Sequence, residues 1–276
     1  MTTFRSQNSS LTDDLGTLHY SWMDHPDHLR TITFICGYSR SHKDFRLWQK
    51  KLAMTGYNVL LFDNRGSGLS KANQPFGFEQ HTKDILCLWK HLGITHSAVI
   101  GFSMGGLIAQ CLASHLHNIS TRHISQLVLI STLPSSGYFS PLTGKTFHNP
   151  YAPLWHHLEK YFSQRFLKKH PHATQTLHKE VKRLSASTED SQQLTYQRSA
   201  FQQASYKSIH HNHIAMPTLI IHGEDDRIIY PQAADTLHRL IPHTTLILYP
   251  QCGHLLLAEQ PAKLYADISQ FLNSHN

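Results

Sequence analysis

Cysteine is scarce in this chain of 276 residues: Cys36, Cys87, Cys111 and Cys252 are far apart, and no two form a C-x-x-C pair. Each follows or lies within an apolar run, which predicts small buried thiols and argues against a disulfide scaffold or a zinc ribbon. Long apolar runs are missing too. None approaches the roughly 18–20 residues that span a bilayer, so a membrane-spanning helix is excluded. The segment 1–20 is polar and lacks a secretory pattern, and we therefore expect a cytoplasmic protein.

Phosphate-binding loops and nucleic-acid-binding motifs are also absent. Neither G-x-x-x-x-G-K-[ST] nor G-x-G-x-x-G opens a helix in this chain. The 25 Lys and Arg exceed the 18 Asp and Glu, which gives a formal charge of +7. These cations are dispersed with no recognised motif beside them, which argues against nucleic-acid binding. Hydrophobic residues make up 40% of the chain, which argues against disorder. A length of 276 residues leaves room for one large domain or two small ones.

Short runs of β-branched and aliphatic residues alternate with helical patterns along most of the chain. Such runs are typical of parallel strands that are covered on both faces. The predicted buried strands are Thr31–Cys36, Tyr57–Phe62, Ser97–Gly101, Gln126–Ser131, Thr218–His222 and Thr245–Tyr249. The predicted helices are Asp44–Met54, Phe78–His91, Gly105–His115, Gln232–Leu240 and Gln260–Leu272. Leu18–Met23 is predicted as an edge strand. The alternation predicts an α/β fold with an open, mostly parallel central sheet flanked by helices.

The alternation stops between the fourth and fifth of these buried runs. Residues 134–215 contain no strand-like run, and we predict a helical lid there, inserted into a core formed by residues 1–133 and 216–276. Leu154, Trp155, Leu158, Phe162 and Phe166 recur at helical spacing and predict one apolar helix face. A capping box of Ser187 and Asp190 predicts a further helix. Residues 135–215 hold ten Lys or Arg and four Asp or Glu, a net charge of +6.

The strongest chemical signal is Gly101-Phe102-Ser103-Met104-Gly105, which lies between a predicted strand and a predicted helix. G-x-S-x-G in this context is typical of a nucleophile elbow, a strained turn that raises the serine hydroxyl above the sheet. A nucleophilic serine needs a base and an orienting carboxylate. Two later strands end in His222-Gly223-Glu224-Asp225-Asp226 and lead to Gly253-His254, at the sheet edge where α/β proteins place their sites.

With these motifs, the chain from about Leu18 onward resembles the α/β-hydrolase superfamily, in its lid-bearing, esterase-like branch. A further matching motif is Phe62-Asp63-Asn64-Arg65-Gly66-Ser67-Gly68. The resemblance implies the α/β-hydrolase fold, with the lid after the sixth strand. It also implies Ser103 as nucleophile, His254 as general base and then acid, and Asp226 as the orienting acid. Asp225 is the alternative acid.

The resemblance further implies an oxyanion hole formed by two backbone N–H groups. Met104 supplies one, and Tyr38 in the loop after the third strand supplies the other. The family usually has His-Gly at the start of this loop, whereas this chain has Cys36-Gly37. We expect Cys36 to be a packing residue. We also expect Asp63 and Arg65 to hold the loop after the fourth strand.

No metal or organic cofactor is expected. Histidine is abundant, with 24 copies, and the clusters at 156–157 and 210–213 are interpreted as surface histidines. The implied reaction is hydrolysis of a carboxylic ester, or a thioester, through an acyl-enzyme on Ser103. Alternatives with the same three residues are a lactonase, a C–C bond hydrolase, a thioesterase, and the methyl ester esterase that acts on an acyl-carrier protein in biotin synthesis. A ligand-sensing protein of the same fold is the non-enzymatic alternative.

The lid is expected to choose the substrate. Trp155, Phe162 and Phe166 are candidate substrate-binding residues for a small-molecule acyl ester, since an aromatic face over the sheet suits an acyl group. The positive charge of the lid suggests an acidic carrier protein or a CoA-linked substrate as a partner.

Overall fold

A central sheet organises the computed structural model, which describes residues 5–24, 27, 30–117, 119, 123–138, 158–176, 179, 188–204 and 209–274. Its strands are β1 (Arg5–Asp13), β2 (Gly16–Asp24), β3 (Arg30–Ile35), β4 (Tyr57–Phe62), β5 (Lys71–Ala72), β6 (His96–Phe102), β7 (His123–Ile130), β8 (Thr218–Gly223) and β9 (Thr244–Tyr249). Their order across the sheet is β1-β2-β4-β3-β6-β7-β8-β9, with the short β5 paired to β2. The six strands from β4 to β9 along this order are parallel, whereas β1 and β2 are antiparallel to their neighbours.

Helices cover both faces of the sheet. They are α1 (Arg46–Ala53), α2 (Gln80–His91), α3 (Met104–Leu116), α4 (Gln164–Lys169), α5 (Thr188–Gln202), α6 (Gln232–Leu240), α7 (Leu256–Glu259) and α8 (Pro261–Ser274). Successive strand residues point to opposite faces and fill two apolar layers. One layer joins Phe34 to α1 and α8, and the other joins Ile35 to α2, α3 and α6. The predicted α/β fold with its mostly parallel sheet is confirmed.

The prediction that Leu18–Met23 is an edge strand is wrong. The edge strand is β1, which pairs along its whole length with β2. Its sequence, RSQNSSLTD, is polar and largely exposed, so no hydrophobic alternation marks it. A tight turn joins the two strands: Leu15 N–H donates to Asp13 Oδ1 at 2.9 Å, and Gly16 follows at φ +135°.

The single helix predicted from Leu154 to Phe166 is also wrong within the described residues. A 3-10 turn at Leu158–Tyr161 is followed by extended backbone at Ser163, whose hydroxyl accepts from Phe166 N–H and so caps α4. Ser163 Oγ in turn donates to Glu259 Oε2 at 2.6 Å, which ties the break to α7. Leu154 and Trp155 lie outside the described residues. The predicted helix after Ser187 is present as α5, which begins at Thr188, while Ser187 itself lies outside the described residues.

Between β7 and β8 the chain leaves the sheet, and the described parts of this stretch are helices and irregular segments without a strand. When the two-residue β5 is left out of the count, β7 is the sixth strand along the chain, and this stretch follows it. Across the described ranges, no helix has the length and apolar character needed to cross a membrane.

Candidate active site

Ser103 lies at the turn between β6 and α3, beyond the carboxyl end of its strand. Its backbone has φ +54° and ψ −119°, a conformation that residues with a side chain rarely adopt. The surroundings hold it there. Ser103 N–H donates to Ile130 O at 2.9 Å, and Thr132 Oγ1 donates to Ser103 O at 2.7 Å. The strained turn that the G-x-S-x-G motif predicts is therefore present.

The two glycines after Ser103 are needed because other parts of the chain come close. A Cβ on Gly105 would lie 2.2 Å from Ile35 O and 2.6 Å from Cys36 O. A Cβ on Gly106 would lie 2.6 Å from Cβ of Thr132. Since no side chain fits at these distances, the glycines allow α3 to start directly against the end of β3.

His254 reaches Ser103 from the segment between β9 and α7. Its Nε2 lies 3.1 Å from Ser103 Oγ, and the ring is buried. The ring centroids of Phe102 and Tyr161 lie 5.3 and 5.7 Å from that of His254. These aromatic contacts leave the imidazole few alternative orientations.

Asp226 follows β8 and faces the other side of the His254 ring. Its Oδ2 lies 2.8 Å from His254 Nδ1, while its Oδ1 accepts from the N–H groups of Ile228 and Ile229 at 2.8 and 3.0 Å. Burial on its own would raise the pKa of Asp226, but the attraction of His254 and the hydrogen bonds of the two neighbouring histidines lower it below its usual range. The carboxylate is therefore ionised. The alternative acid, Asp225, is exposed and does not occupy this position.

His222 is a component of the site to which the sequence assigned no role. It is the last residue before Gly223 at the end of β8, and it is fully buried. Its Nε2 lies 3.0 Å from Asp226 Oδ2 and 3.1 Å from Ile229 O. Both neighbours are acceptors, so Nε2 carries the proton and donates. A histidine four residues before the acid was the only signal in the sequence.

The two predicted oxyanion-hole residues come from different parts of the chain: Met104 directly follows Ser103, and Tyr38 lies in the loop after β3. Met104 is the first residue of α3, so its N–H has no carbonyl one turn earlier in the helix to bond. Tyr38 follows Gly37, which lies beside the nucleophile: a Cβ built on Gly37 would lie 3.4 Å from Cβ of Ser103. Asn64 Nδ2 donates to Cys36 O at 2.8 Å and holds the start of this loop.

Cys36 lies at the start of that loop, and its thiol is fully buried. Burial, and to a lesser degree nearby Asp44 and Asp63, raise the pKa of Cys36 well above its usual value. A thiol of this kind is a packing group and a poor nucleophile.

The loop after β4 is held by the two predicted residues. Asp63 Oδ1 accepts from His42 N–H at 2.7 Å, and Asp63 Oδ2 accepts from Leu69 N–H at 2.8 Å. The guanidinium of Arg65 is buried between the carboxylates of Asp84 and Asp13 at 2.8 and 2.7 Å. The prediction that Asp63 and Arg65 hold this loop is confirmed.

Phe162 and Phe166 stack on each other with their ring centroids 5.2 Å apart. They line a cavity of about 310 Å³ together with Phe102 and Leu255, the residues next to Ser103 and His254 in the chain. Trp155, the third candidate substrate-binding residue, lies outside the described residues. The structure thus places two of the three candidates beside a mainly apolar cavity.

The histidine cluster at 210–213 stacks with a neighbouring helix end. The ring centroids of His117 and His213 are 4.3 Å apart, and those of His210 and His213 are 4.9 Å apart. In the part of the chain that the structure describes, no three His, Cys, Asp or Glu side chains are arranged to hold a metal ion. The cluster at 156–157 lies outside that part.

The chain is similar to known proteins both in sequence and in structure. A family model described as the alpha/beta hydrolase fold matches residues 30–261. AB hydrolase superfamily protein YisY from Bacillus subtilis is 26% identical over 262 residues, which cover 90% of this chain and 93% of that protein. A pimeloyl-[acyl-carrier protein] methyl ester esterase from Nitrosospira multiformis is 38% identical over 58 residues, 21% of this chain and 22% of that protein. A solved structure of an esterase from Thermogutta terrifontis matches with a TM-score of 0.80 and 18% identity, covering 98% of this chain and 99% of that chain.

Proposed function

The chain belongs to the alpha/beta hydrolase family, and on this premise we propose that it is a serine hydrolase that cleaves carboxylic esters through an acyl-enzyme on Ser103. The observation that carries the proposal is the continuous contact from Asp226 to His254 to Ser103, at 2.8 and 3.1 Å. A hydroxyl, an imidazole and an ionised carboxylate in this order are what nucleophilic catalysis by serine requires.

In the proposed reaction, Ser103 Oγ attacks the ester carbonyl carbon while His254 Nε2 takes the hydroxyl proton. The N–H groups of Tyr38 and Met104 stabilise the negative oxygen of the tetrahedral intermediate. His254 then gives its proton to the departing alcohol, and an ester bond joins the acyl group to Ser103. Water deprotonated by His254 attacks this ester, and the released Ser103 oxygen recovers the proton. Asp226 remains ionised and holds the His254 ring in place.

We place the apolar part of the substrate in the cavity lined by Phe162 and Phe166, whose lining also includes Phe102, the residue before Ser103. Residues 134–215 then act as a lid over a core formed by residues 1–133 and 216–276, with Trp155 as a further substrate contact. Arg40 and Asp44, which also line the cavity, form a side-by-side ion pair at 2.8 Å for Nε to Oδ2. Because the pair has no net charge, the cavity suits an uncharged acyl or alcohol group.

A second candidate is an ester or thioester carried by an acidic carrier protein or by CoA. Two observations favour it. Lys168 and Lys169 are exposed on α4, next to the cavity-lining Phe166. The local similarity to the pimeloyl-[acyl-carrier protein] methyl ester esterase supports the same idea. Reversing both charges to Glu is expected to reduce turnover of a carrier-bound ester and to spare a small ester; equal effects on both substrates would contradict this candidate.

The experiment that tests the proposed function is hydrolysis of p-nitrophenyl esters from acetate to palmitate by the wild type and by Ser103→Ala. We expect wild-type turnover and a loss of about 10⁴-fold or more in the variant. Activity that survives in Ser103→Ala would contradict Ser103 as the nucleophile. If the wild type hydrolyses none of these esters, labelling of Ser103 by a fluorophosphonate separates an active hydrolase of other specificity, such as a lactonase, from a ligand-sensing protein.

A further inference from the structure

Helix α5, which belongs to the stretch between β7 and β8, contacts the loop after β3, which lies beside the nucleophile, and the loop after β4. Gln197 on this helix is fully buried. Its Oε1 accepts from Ser39 N–H at 2.8 Å, and its Nε2 donates to Arg65 O at 3.3 Å. One side-chain amide therefore joins the loop after β3 to the loop after β4.

The loop after β3 has a conformation that needs such support. Arg40 N–H donates to Gly37 O at 3.2 Å and closes a turn with Tyr38 and Ser39 at its centre. Ser39 has φ +57° at the third position of this turn, where glycine is usual. The Tyr38–Ser39 peptide thus has an unfavourable orientation, and the hydrogen bond from Ser39 N–H to Gln197 holds it.

The peptide that carries Tyr38 N–H lies between two fixed peptides. On one side, Asn64 Nδ2 holds Cys36 O at 2.8 Å. On the other side, Gln197 holds Ser39 N–H. The Tyr38 side chain is fixed by the same helix, because its hydroxyl donates to Leu194 O and accepts from Arg198 Nε, each at 3.3 Å. Three residues of α5 thus hold two consecutive residues of the loop.

We propose that Gln197 is a positioning residue for the oxyanion hole: by fixing the Tyr38–Ser39 peptide, it aims Tyr38 N–H at the oxygen that becomes negative in the transition state. The inference rests on the proposed function, in which Tyr38 N–H has that role. It also implies that the hole is complete only when α5 is seated on the core. The stretch that shapes the substrate cavity then also contributes to the chemical step.

Gln193 offers a matched control. It lies one turn before Gln197 on the same helix and is 6% exposed. Its Oε1 accepts from Ala72 N–H at 2.7 Å, and its Nε2 donates to Ala72 O at 2.9 Å. The two glutamines have the same chemistry and the same number of backbone partners. Ala72 is in β5 rather than in the loop after β3, so the Gln193 amide anchors α5 without bonding to the oxyanion loop.

The test compares Gln197→Met with Gln193→Met, using an ester and the thionoester in which sulfur replaces the carbonyl oxygen. Sulfur is larger and accepts hydrogen bonds poorly, so an ordered oxyanion hole favours the ester. We expect Gln197→Met to lower kcat on the ester by about 10- to 100-fold, less than the effect of removing a donor outright, with KM little changed. The ratio of ester to thionoester turnover should fall with it. Gln193→Met should keep the wild-type ratio.

The proposal is overturned if Gln197→Met keeps the wild-type ratio, or if both variants lower kcat and the ratio equally. Thermal unfolding shows whether each variant folds. If Gln197→Met does not fold, Gln197→Ala replaces it and is judged by the same criteria. Alanine leaves space for water to bond Ser39 N–H and Arg65 O. Failure of the proposed function is a separate result: the wild type would not turn over the ester, or Ser103→Ala would.

Discussion

His222 and Asp226 lie side by side at the end of β8, with His222 Nε2 3.0 Å from Asp226 Oδ2. The same carboxylate oxygen faces His254 Nδ1 at 2.8 Å. Asp226 therefore receives a hydrogen bond from a second imidazole in addition to two backbone N–H groups. Each donor stabilises the ionised carboxylate in a buried site, and together they fix the direction of its oxygen toward His254.

We predict that His222→Leu lowers kcat/KM by about 10-fold or more, because hydrogen bonds to charged groups contribute about 1.5–3 kcal/mol. With one donor fewer, the Asp226 carboxylate is held less firmly against His254. His222→Gln, whose Nε2 can reach the same position, should restore much of the lost kcat/KM. If His222→Leu were as active as His222→Gln, His222 would be only a packing residue.

The backbone conformation of Ser103 is expected to lower the free energy of unfolding of the protein. A residue with a side chain at φ +54° carries about 1–3 kcal/mol of backbone strain, which glycine does not. We predict that Ser103→Gly is more stable than Ser103→Ala by about 1 kcal/mol, after allowing for the greater freedom of glycine in the unfolded chain. Both variants lack the hydroxyl, so their difference in the free energy of unfolding, measured in urea, isolates the strain. Equal values would show that the surrounding structure has relaxed.

Local sequence patterns were sufficient to predict part of this structure. Buried parallel strands such as Tyr57–Phe62 are apolar on both faces, and the serine turn has a fixed glycine spacing, so both are visible in short stretches of sequence. The strand β1 was missed because its polar residues form a strand only by pairing with β2. His222 and Gln197 were missed for a related reason. Their partners are set by tertiary structure. Apart from the position of His222 four residues before Asp226, nothing in the sequence marks them as different from the chain's many other His and Gln residues.

His81 provides a pH-dependence prediction. It is buried, and its ring packs edge-on against Phe76 and Phe78 at 5.3 and 5.5 Å. Neither ring nitrogen has a hydrogen-bond partner among the described residues. Burial, with a smaller contribution from Arg65, lowers the pKa of His81 to about 3. Below pH 6.5 the unfolded chain binds a proton that the folded protein does not, so stability is fully present above pH 6.5 and is lost as the pH falls toward 3.

Replacing His81 by Phe removes this loss. Between pH 7.5 and pH 5, the free energy of unfolding of the wild type should fall by about 2 kcal/mol more than that of His81→Phe, at about 1.4 kcal/mol per pH unit below 6.5. Urea unfolding at the two pH values measures the difference, with the exposed His172→Phe as control. A wild type and a His81→Phe variant with the same pH dependence would contradict the prediction.

The cavity lined by Phe162 and Phe166 provides a prediction about substrate size. Phe166 and Leu167 are neighbours on α4 and both are half-buried, but of the two only Phe166 lines the cavity. Removing the Phe166 ring enlarges a space of about 310 Å³, and longer acyl chains then gain apolar surface to bury, at about 0.8 kcal/mol per CH₂ group. Phe166→Ala is therefore expected to shift the optimum of kcat/KM in the p-nitrophenyl ester series toward longer chains. Leu167→Ala removes a similar apolar contact from the same helix and should leave the optimum unchanged. If both variants shift the optimum alike, the effect comes from loosening α4, and the cavity does not bind the acyl chain.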